Sequence, residues 1–100
     1  MDYKVVLTSR AQRDLFEIVS FIAEQHPSAA GKTGLALLET AESLTLLPYR
    51  GPPMKGWSGL RKLPHLPHHL IVYRVNEPAR LVEIIRFWDG RQDPGRLQLP

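Results

Sequence analysis

The sequence is constrained most by two apolar stripes at helical spacing, separated by little more than Pro27. In both stripes, leucine, isoleucine, valine and alanine recur every three or four residues, which is typical of amphipathic helices. We predict a first helix over residues 10–25 and a second that ends at about residue 47, before Pro48. So short a connection favours an antiparallel helical hairpin, and each apolar face needs a sheet to cover it.

Both predicted helices begin beside residues that can cap them. Ser9 and Gln12 have the S-x-x-Q spacing of a capping box, in which the serine hydroxyl accepts from a free helical amide. Ser28 is placed to cap the second helix. We therefore expect the helices to begin directly after Ser9 and Ser28.

Short runs of β-branched and aromatic residues flank the hairpin and predict four strands. One covers residues 3–8, and the others cover 59–63, 68–75 and 80–89. The stretch 48–56 holds three prolines and two glycines, which favour a loop.

The predicted fold class is α+β. It has an N-terminal strand, an antiparallel helical hairpin on one sheet face, and a three-stranded antiparallel meander. The opposite sheet face is expected to be open. We expect a single domain over residues 1–100, with a flexible tail from 90 to 100.

Composition excludes several kinds of chemistry. The chain has no cysteine, which removes disulfides, thiolate catalysis and cysteine-ligated metals. Glycine-rich phosphate loops and serine-nucleophile elbows are absent too, so we expect no cofactor. No apolar run approaches the roughly 20 residues that cross a bilayer, and Met1–Arg10 lacks the apolar core of a secretory signal. We expect a cytoplasmic protein with no membrane partner.

The charge differs between the two halves of the chain. Residues 1–50 hold five Lys/Arg and six Asp/Glu, a net charge of −1, while residues 51–100 hold eight and four, a net charge of +4. This asymmetry favours an anionic partner for the second half, either nucleic acid or an acidic protein segment.

Three predicted strands each carry an arginine within or beside an apolar run, namely Arg61, Arg74 and Arg86. One interpretation is a row of guanidinium groups across the open sheet face, suited to phosphate or carboxylate. The other is solvent-facing charge that discourages edge pairing. Alternation along residues 80–89 leaves open which face carries Arg86, and composition does not separate the two interpretations.

Three histidines, His65, His68 and His69, suggest a metal by number alone. Pro64 and Pro67 predict that they lie in a turn between strands, and no carboxylate is close in sequence. We therefore interpret them as solvated turn residues and expect no metal site.

The order and spacing of these segments carry a resemblance. A short strand before residues 10–22, the helical hairpin, and the segments 59–63, 70–75 and 84–94 together resemble the RelE/ParE family of bacterial toxins. The resemblance extends from about residue 3 to residue 94. It implies a toxin of a type II toxin–antitoxin (plasmid stabilisation) system, which forms a hetero-oligomer when a cognate antitoxin wraps a disordered segment over it.

The resemblance also implies one of two targets, since RelE-like members cut messenger RNA on the ribosome while ParE-like members poison DNA gyrase. Asp89 stands where many relatives carry histidine, and no tyrosine follows Tyr73. We expect a neighbouring arginine to keep Asp89 ionised, so that it cannot act as an acid. This departure favours a ParE-like, non-catalytic gyrase inhibitor.

Each hypothesis assigns its own residues. For gyrase binding, the predicted residues are Arg61, Arg74, Arg86, Trp88 and Arg91; for antitoxin binding, they are Leu15, Ile18, Ile22, Leu38, Arg74 and Arg86. The first alternative is a RelE-like, ribosome-dependent mRNA endonuclease that uses Lys55, Arg61, Arg74 and Arg86. The second alternative is a non-toxic nucleic-acid-binding module.

Overall fold

The computed structural model describes residues 2–100, which form a helical hairpin on a four-stranded mixed sheet. The elements are β1 (Lys4–Leu7), α1 (Ser9–Gln25), α2 (Pro27–Glu42), β2 (Arg61–His65), β3 (His69–Asn76) and β4 (Leu81–Asp89), with short 3-10 helices at Ser43–Thr45 and Pro94–Arg96. This architecture confirms the predicted α+β class and the helical hairpin. None of the helices within residues 2–100 is long and apolar enough to cross a bilayer.

The helix starts differ from the predicted ones. Thr8, not Ser9, caps α1, because its side chain accepts from the amide of Ala11. Gln12 does not complete a capping box, since its side chain donates to the Leu7 carbonyl at 3.1 Å. Pro27 occupies the first turn of α2, where its missing N–H costs nothing, and no side chain caps that helix.

The sheet order is β1-β4-β3-β2. β2, β3 and β4 pair antiparallel as the predicted meander, while β1 pairs parallel with β4 at the edge. β2 begins two residues later than predicted, because Gly59 has a φ of 81°, which extended backbone does not adopt. The loop before it lies along the outer edge of β2 through a Pro53–Arg61 bridge.

The main core lies between the helices and the sheet. Its largest fully buried side chains include Leu37 and Leu44 from the helical segment and Ile71, Tyr73 and Phe87 from the sheet. The two helices approach closely at Gly34, where an added Cβ would lie 2.8 Å from the Val19 side chain. The small residue therefore sets the spacing of the hairpin.

The other sheet face is not open, contrary to the prediction. Leu60, Val72 and Ile85 form a second buried cluster there, covered in part by Met54 and Leu99. Val72 lies between Ile71 and Tyr73 of the main core, so alternation along β3 directs its side chain to the opposite face. Both faces of the sheet therefore bury apolar side chains.

Candidate functional site

A groove of about 1100 Å³ opens between the helical hairpin and one end of the sheet. α1 forms one wall with Ile18, Phe21 and Ile22, and the β2–β3 turn contributes Leu66. Phe21 is 61% exposed and Leu66 is 82% exposed, so both are available to a partner. The charged and histidine lining comprises Arg10, Asp14, Glu17, Lys32, His65, His68, His69, Arg86, Asp89, Arg91 and Arg96. Apolar anchors beside charge are typical of a protein-binding surface.

A buried ion pair between Asp14 and Arg86 lines this groove. Arg86 donates from Nε to Asp14 Oδ2 at 2.6 Å and from Nη2 to Oδ1 at 3.1 Å. Asp14 and Arg86 are only 4% and 3% exposed. Two further donors reach the same carboxylate, the Phe87 amide at 3.2 Å and Arg10 Nε at 3.3 Å. The pair therefore connects α1 to β4, and Asp14 neutralises the charge of Arg86 inside the protein.

The end of β1 explains why Asp14 is needed there. β1 ends at Leu7, opposite Ile84, so β4 has no strand partner on that side beyond this point. The Phe87 N–H donates to Asp14 instead, which satisfies a backbone group that would otherwise be buried and unpaired.

The three predicted target-binding arginines of the strands do not form a row. Arg61 is paired with Tyr73 and shares its face, and its Nη1 donates to the Gly51 carbonyl at 2.7 Å. Arg74 is the residue after Tyr73 and points to the opposite face, where its Nε donates to Glu83 Oε1 at 2.9 Å. The third arginine is held in the buried pair, so the interpretation as a row of guanidinium groups across one sheet face is wrong.

Asp89 and Arg91 form an ion pair at the end of β4. Arg91 Nη2 donates to Asp89 Oδ2 at 2.7 Å, and Arg91 Nε donates to Oδ1 at 3.0 Å. The hydrogen bonds from the Arg91 side chain lower the pKa of Asp89 to about 2. The expectation that a neighbouring arginine keeps this carboxylate ionised is confirmed, and Asp89 has no proton to give at neutral pH.

The three histidines His65, His68 and His69 line the groove, and two of them lie on strands and not in a solvated turn. His65 ends β2 and His69 begins β3, so only His68 lies in the turn itself. His65 Nδ1 is 2.9 Å from the Thr40 hydroxyl of α2. Burial lowers the pKa of His69, which favours its neutral form. No group of three His, Asp or Glu side chains in residues 2–100 is arranged to hold a metal ion.

The predicted antitoxin-binding residues differ in accessibility. Leu15 and Ile18 pack partly against the main core, Ile18 and Ile22 both line the groove, and Leu38 is 38% exposed. Arg74 is exposed and Arg86 is not. A partner on the helical side can therefore reach Ile18, Ile22 and Leu38, whereas Arg86 is buried.

The remaining predicted target and catalytic residues are spread over the molecule. Trp88 is buried, with its ring 5.3 Å from the guanidinium carbon of Arg86. Arg91 is exposed at the groove, while Lys55 is exposed in the loop before β2 and does not line the groove. Lys55 therefore lies outside the groove that holds the histidines.

Two groups of residues were missed in the sequence. Arg10, Lys32 and Arg96 come from α1, α2 and the tail, and nothing in their local sequence predicts that they line one groove. Phe16 and Phe21 are 72% and 61% exposed on α1. Their positions outside the apolar stripe were a usable signal, because large aromatics off the buried face of a helix indicate an interaction surface.

Comparison with known proteins points to one family. The sequence profile described as "ParE toxin of type II toxin-antitoxin system, parDE" matches residues 5–94. Among curated proteins, no sequence matches the chain.

Solved structures share the fold. The chromosomal ParDE system from P. aeruginosa is 20% identical, with a TM-score of 0.75 over 87% of this chain and 95% of that one. The RelBE2 toxin–antitoxin complex from Mycobacterium tuberculosis is 24% identical, with a TM-score of 0.69 over 89% and 99%. The isolated E. coli RelE toxin is 16% identical, with a TM-score of 0.64 over 93% and 89%.

Proposed function

The chain belongs to the ParE toxin family of type II toxin–antitoxin systems, and we propose that it inhibits DNA gyrase by binding, without catalysing a reaction of its own. In this proposal a cognate antitoxin neutralises it in a hetero-oligomeric complex. The fold shared with both ParDE and RelBE structures is compatible with either target, so the choice depends on the chemistry of the groove.

The observation that carries the proposal is the ion pair of Asp89 with Arg91. A ribonuclease needs a proton carrier beside the scissile phosphate, and general acid–base catalysis contributes roughly 10² to 10⁴ in rate. With a pKa of about 2, Asp89 is a fixed negative charge at the end of the groove. Such a carboxylate supplies no proton. An inhibitor that only binds has no need of that proton.

The accessible members of the predicted target-binding set are Arg74 and Arg91, with Arg61 half-buried. Arg74 lies on the face away from the main core, whereas Arg91 lies at the groove, so gyrase contact through one does not require contact through the other. Arg86 and Trp88 are buried and do not contact a partner directly. Their replacement is expected to act through folding.

The proposed antitoxin site is the apolar wall of α1 and α2. Phe16, Phe21 and Leu35 are 72%, 61% and 58% exposed, and Ile22 and Leu38 add two further apolar side chains. An amphipathic antitoxin segment that orders on this wall buries these side chains, with acidic residues able to reach Lys32 or Arg96 at the groove. Its binding should show a negative heat-capacity change.

Induced expression and two purified assays test the target. We expect expression of the chain alone to stop growth, the purified chain to inhibit gyrase supercoiling or accumulate cleaved DNA, and ribosome-bound mRNA to stay intact. Arg74→Ala or Arg91→Ala should raise the concentration for half inhibition about fivefold or more, as the loss of a contact worth over 1 kcal/mol does. Arg13→Ala, an exposed arginine on α1, is the matched control and should change little. The chain should inhibit gyrase with Asp89 in place, without the substitution Asp89→His.

The second candidate is a ribosome-dependent ribonuclease, and one observation favours it. His65, His68 and His69 line the groove together with Arg91, and His69 is biased towards its neutral, proton-accepting form. Codon-specific mRNA cuts by the wild-type chain on purified ribosomes, lost in His69→Ala, would move the function to this candidate. An absence of growth arrest would contradict both.

A further inference from the structure

The last residues of the chain fold back onto the sheet face opposite the helices. Beyond the 3-10 helix Pro94–Arg96, Leu99 packs against the cluster of Leu60, Val72 and Ile85. The carbonyl oxygen of Gln98 accepts a hydrogen bond of 3.0 Å from Nη1 of Arg86. The Gln98 side chain itself is exposed. The tail is thus held through one apolar side chain and one main-chain oxygen.

The surface beneath the tail is formed by residues from other parts of the chain. Val72 and Ile85 lie on hydrogen-bonded strands, and Leu60 is 4% exposed beside them. Arg86 is oriented by its two hydrogen bonds to Asp14, which leave Nη1 directed at the tail. When the tail leaves, these residues of the paired strands would line an apolar cleft with one oriented N–H donor, which suits an extended peptide because little reorganisation is needed to bind it.

The attachment of the tail is weak. One main-chain hydrogen bond and one partly buried leucine favour docking by a factor on the order of 10 to 100. The tail therefore spends roughly one to ten per cent of the time undocked, which leaves the cleft open to competition. The family match ends at residue 94, so the docked residues lie beyond the part that the family profile covers.

We propose that residues 97–100 are a displaceable strap, and that the cleft beneath it binds an extended, uncharged segment of a partner chain. The segment has the chemistry that the strap itself shows: a leucine-sized side chain on Val72 and Ile85, and a main-chain carbonyl at Arg86 Nη1. A charged segment is disfavoured, because the cluster of Leu60, Val72 and Ile85 offers an anchor no counter-charge. This site lies on the sheet face away from the helices and does not depend on the identity of the toxin's target.

Thiol labelling of the full chain tests the strap, because the protein has no cysteine of its own. Leu99→Cys and Gln98→Cys are adjacent and share the mobility of the segment, but only Leu99 faces the cluster. We expect maleimide to label Leu99→Cys about tenfold more slowly than Gln98→Cys. Equal rates would show that the tail is not docked and would overturn the proposal.

Peptide binding to the full chain tests the cleft. In Leu99→Ser the strap loses its anchor, and an uncharged, end-capped peptide of sequence LQLP at millimolar concentration should shift the NMR amide signals of Val72 and Ile85. Gln98→Ser is the matched control; its strap should compete at an effective concentration in the millimolar range and reduce the shifts severalfold. Shifts in neither variant, equal shifts in both, or equal shifts with a peptide whose second leucine is serine would overturn the cleft. Protection of Leu99→Cys that appears only in a dimer would show a swapped tail and would overturn the strap as an intramolecular device.

Discussion

Replacing Asp14 by alanine should destabilise the protein more than any surface substitution. The change leaves the guanidinium of Arg86 buried without its counter-charge and removes the acceptor of the Phe87 amide. Breaking a buried ion pair from one side costs about 3–5 kcal/mol. For a 100-residue domain with a total stability of roughly 5–15 kcal/mol, that is a large fraction. The melting temperature should fall by roughly 15–30 °C.

A double-mutant cycle measures the interaction between Asp14 and Arg86 apart from the other effects of each substitution. Asp14→Leu combined with Arg86→Met removes both charges, and such replacement of a buried pair by apolar side chains is often neutral. The Phe87 N–H still loses its acceptor, so a deficit of about 1–3 kcal/mol should remain. The double variant should therefore be more stable than either single variant. Asp14→Asn keeps the side-chain volume and one acceptor, and should lie between alanine and wild type.

Urea denaturation followed by circular dichroism measures each variant. A loss of stability below 1 kcal/mol for Asp14→Ala, or a double variant less stable than both single variants, would refute the argument that Asp14 and Arg86 form a buried, mutually compensated ion pair. The same cycle decides how Arg86 acts in toxicity. If Arg86→Met lowers toxicity and Asp14→Leu restores it, the arginine supports the fold and does not contact the target.

Two further predictions concern the hairpin and the end of β4. Gly34→Ala should destabilise the protein by about 1 kcal/mol net in urea denaturation, because overpacking against Val19 outweighs the better helix propensity of alanine. Gly31→Ala, with open space around it, should stabilise the protein by about 0.5–1 kcal/mol. A Gly34→Ala variant more stable than Gly31→Ala would contradict the close approach of the helices. The lowered pKa of Asp89 means that its contribution to stability is complete above the unfolded pKa of about 3.8 and is lost as pH falls through about 2. Carboxyl NMR titration should find Asp89 near 2 in wild type and nearer its usual value in Arg91→Ala; an unchanged pKa would exclude Arg91 as the cause.

The elements that sequence predicted well are those determined by local pattern. Helical periodicity located the hairpin, and alternating apolar residues located the three-stranded meander. The start of α1 was wrong by one residue, because Thr8 and Ser9 are both good caps and only tertiary contacts choose between them. The start of α2 was wrong by two residues, because Pro27 itself occupies the first turn. Thr8 also donates to the Ile84 carbonyl at 2.8 Å, which fixes it at the sheet edge and makes it the cap.

The site was predicted only where its contacts are local. Asp89 and Arg91 are two residues apart, so their pairing could be inferred from sequence. Asp14 and Arg86 are separated by 72 residues, and neither helical periodicity nor strand alternation relates one to the other. The exposed face of a strand and a buried pair at its edge both accommodate arginine, and sequence alone did not distinguish them.

The distribution of ion pairs changes what the basic second half of the chain implies. Of its eight Lys/Arg, Arg74, Arg80, Arg86 and Arg91 each pair with a carboxylate. Their charges are largely neutralised within the protein, so the net charge of +4 does not form one cationic surface. In the proposed antitoxin complex, we therefore expect the exposed apolar side chains of α1 and α2 to supply the larger share of the binding free energy. Lys32 and Arg96 line the groove and have no ion pair within residues 2–100, so they are expected to contribute to orientation and association rate more than to affinity.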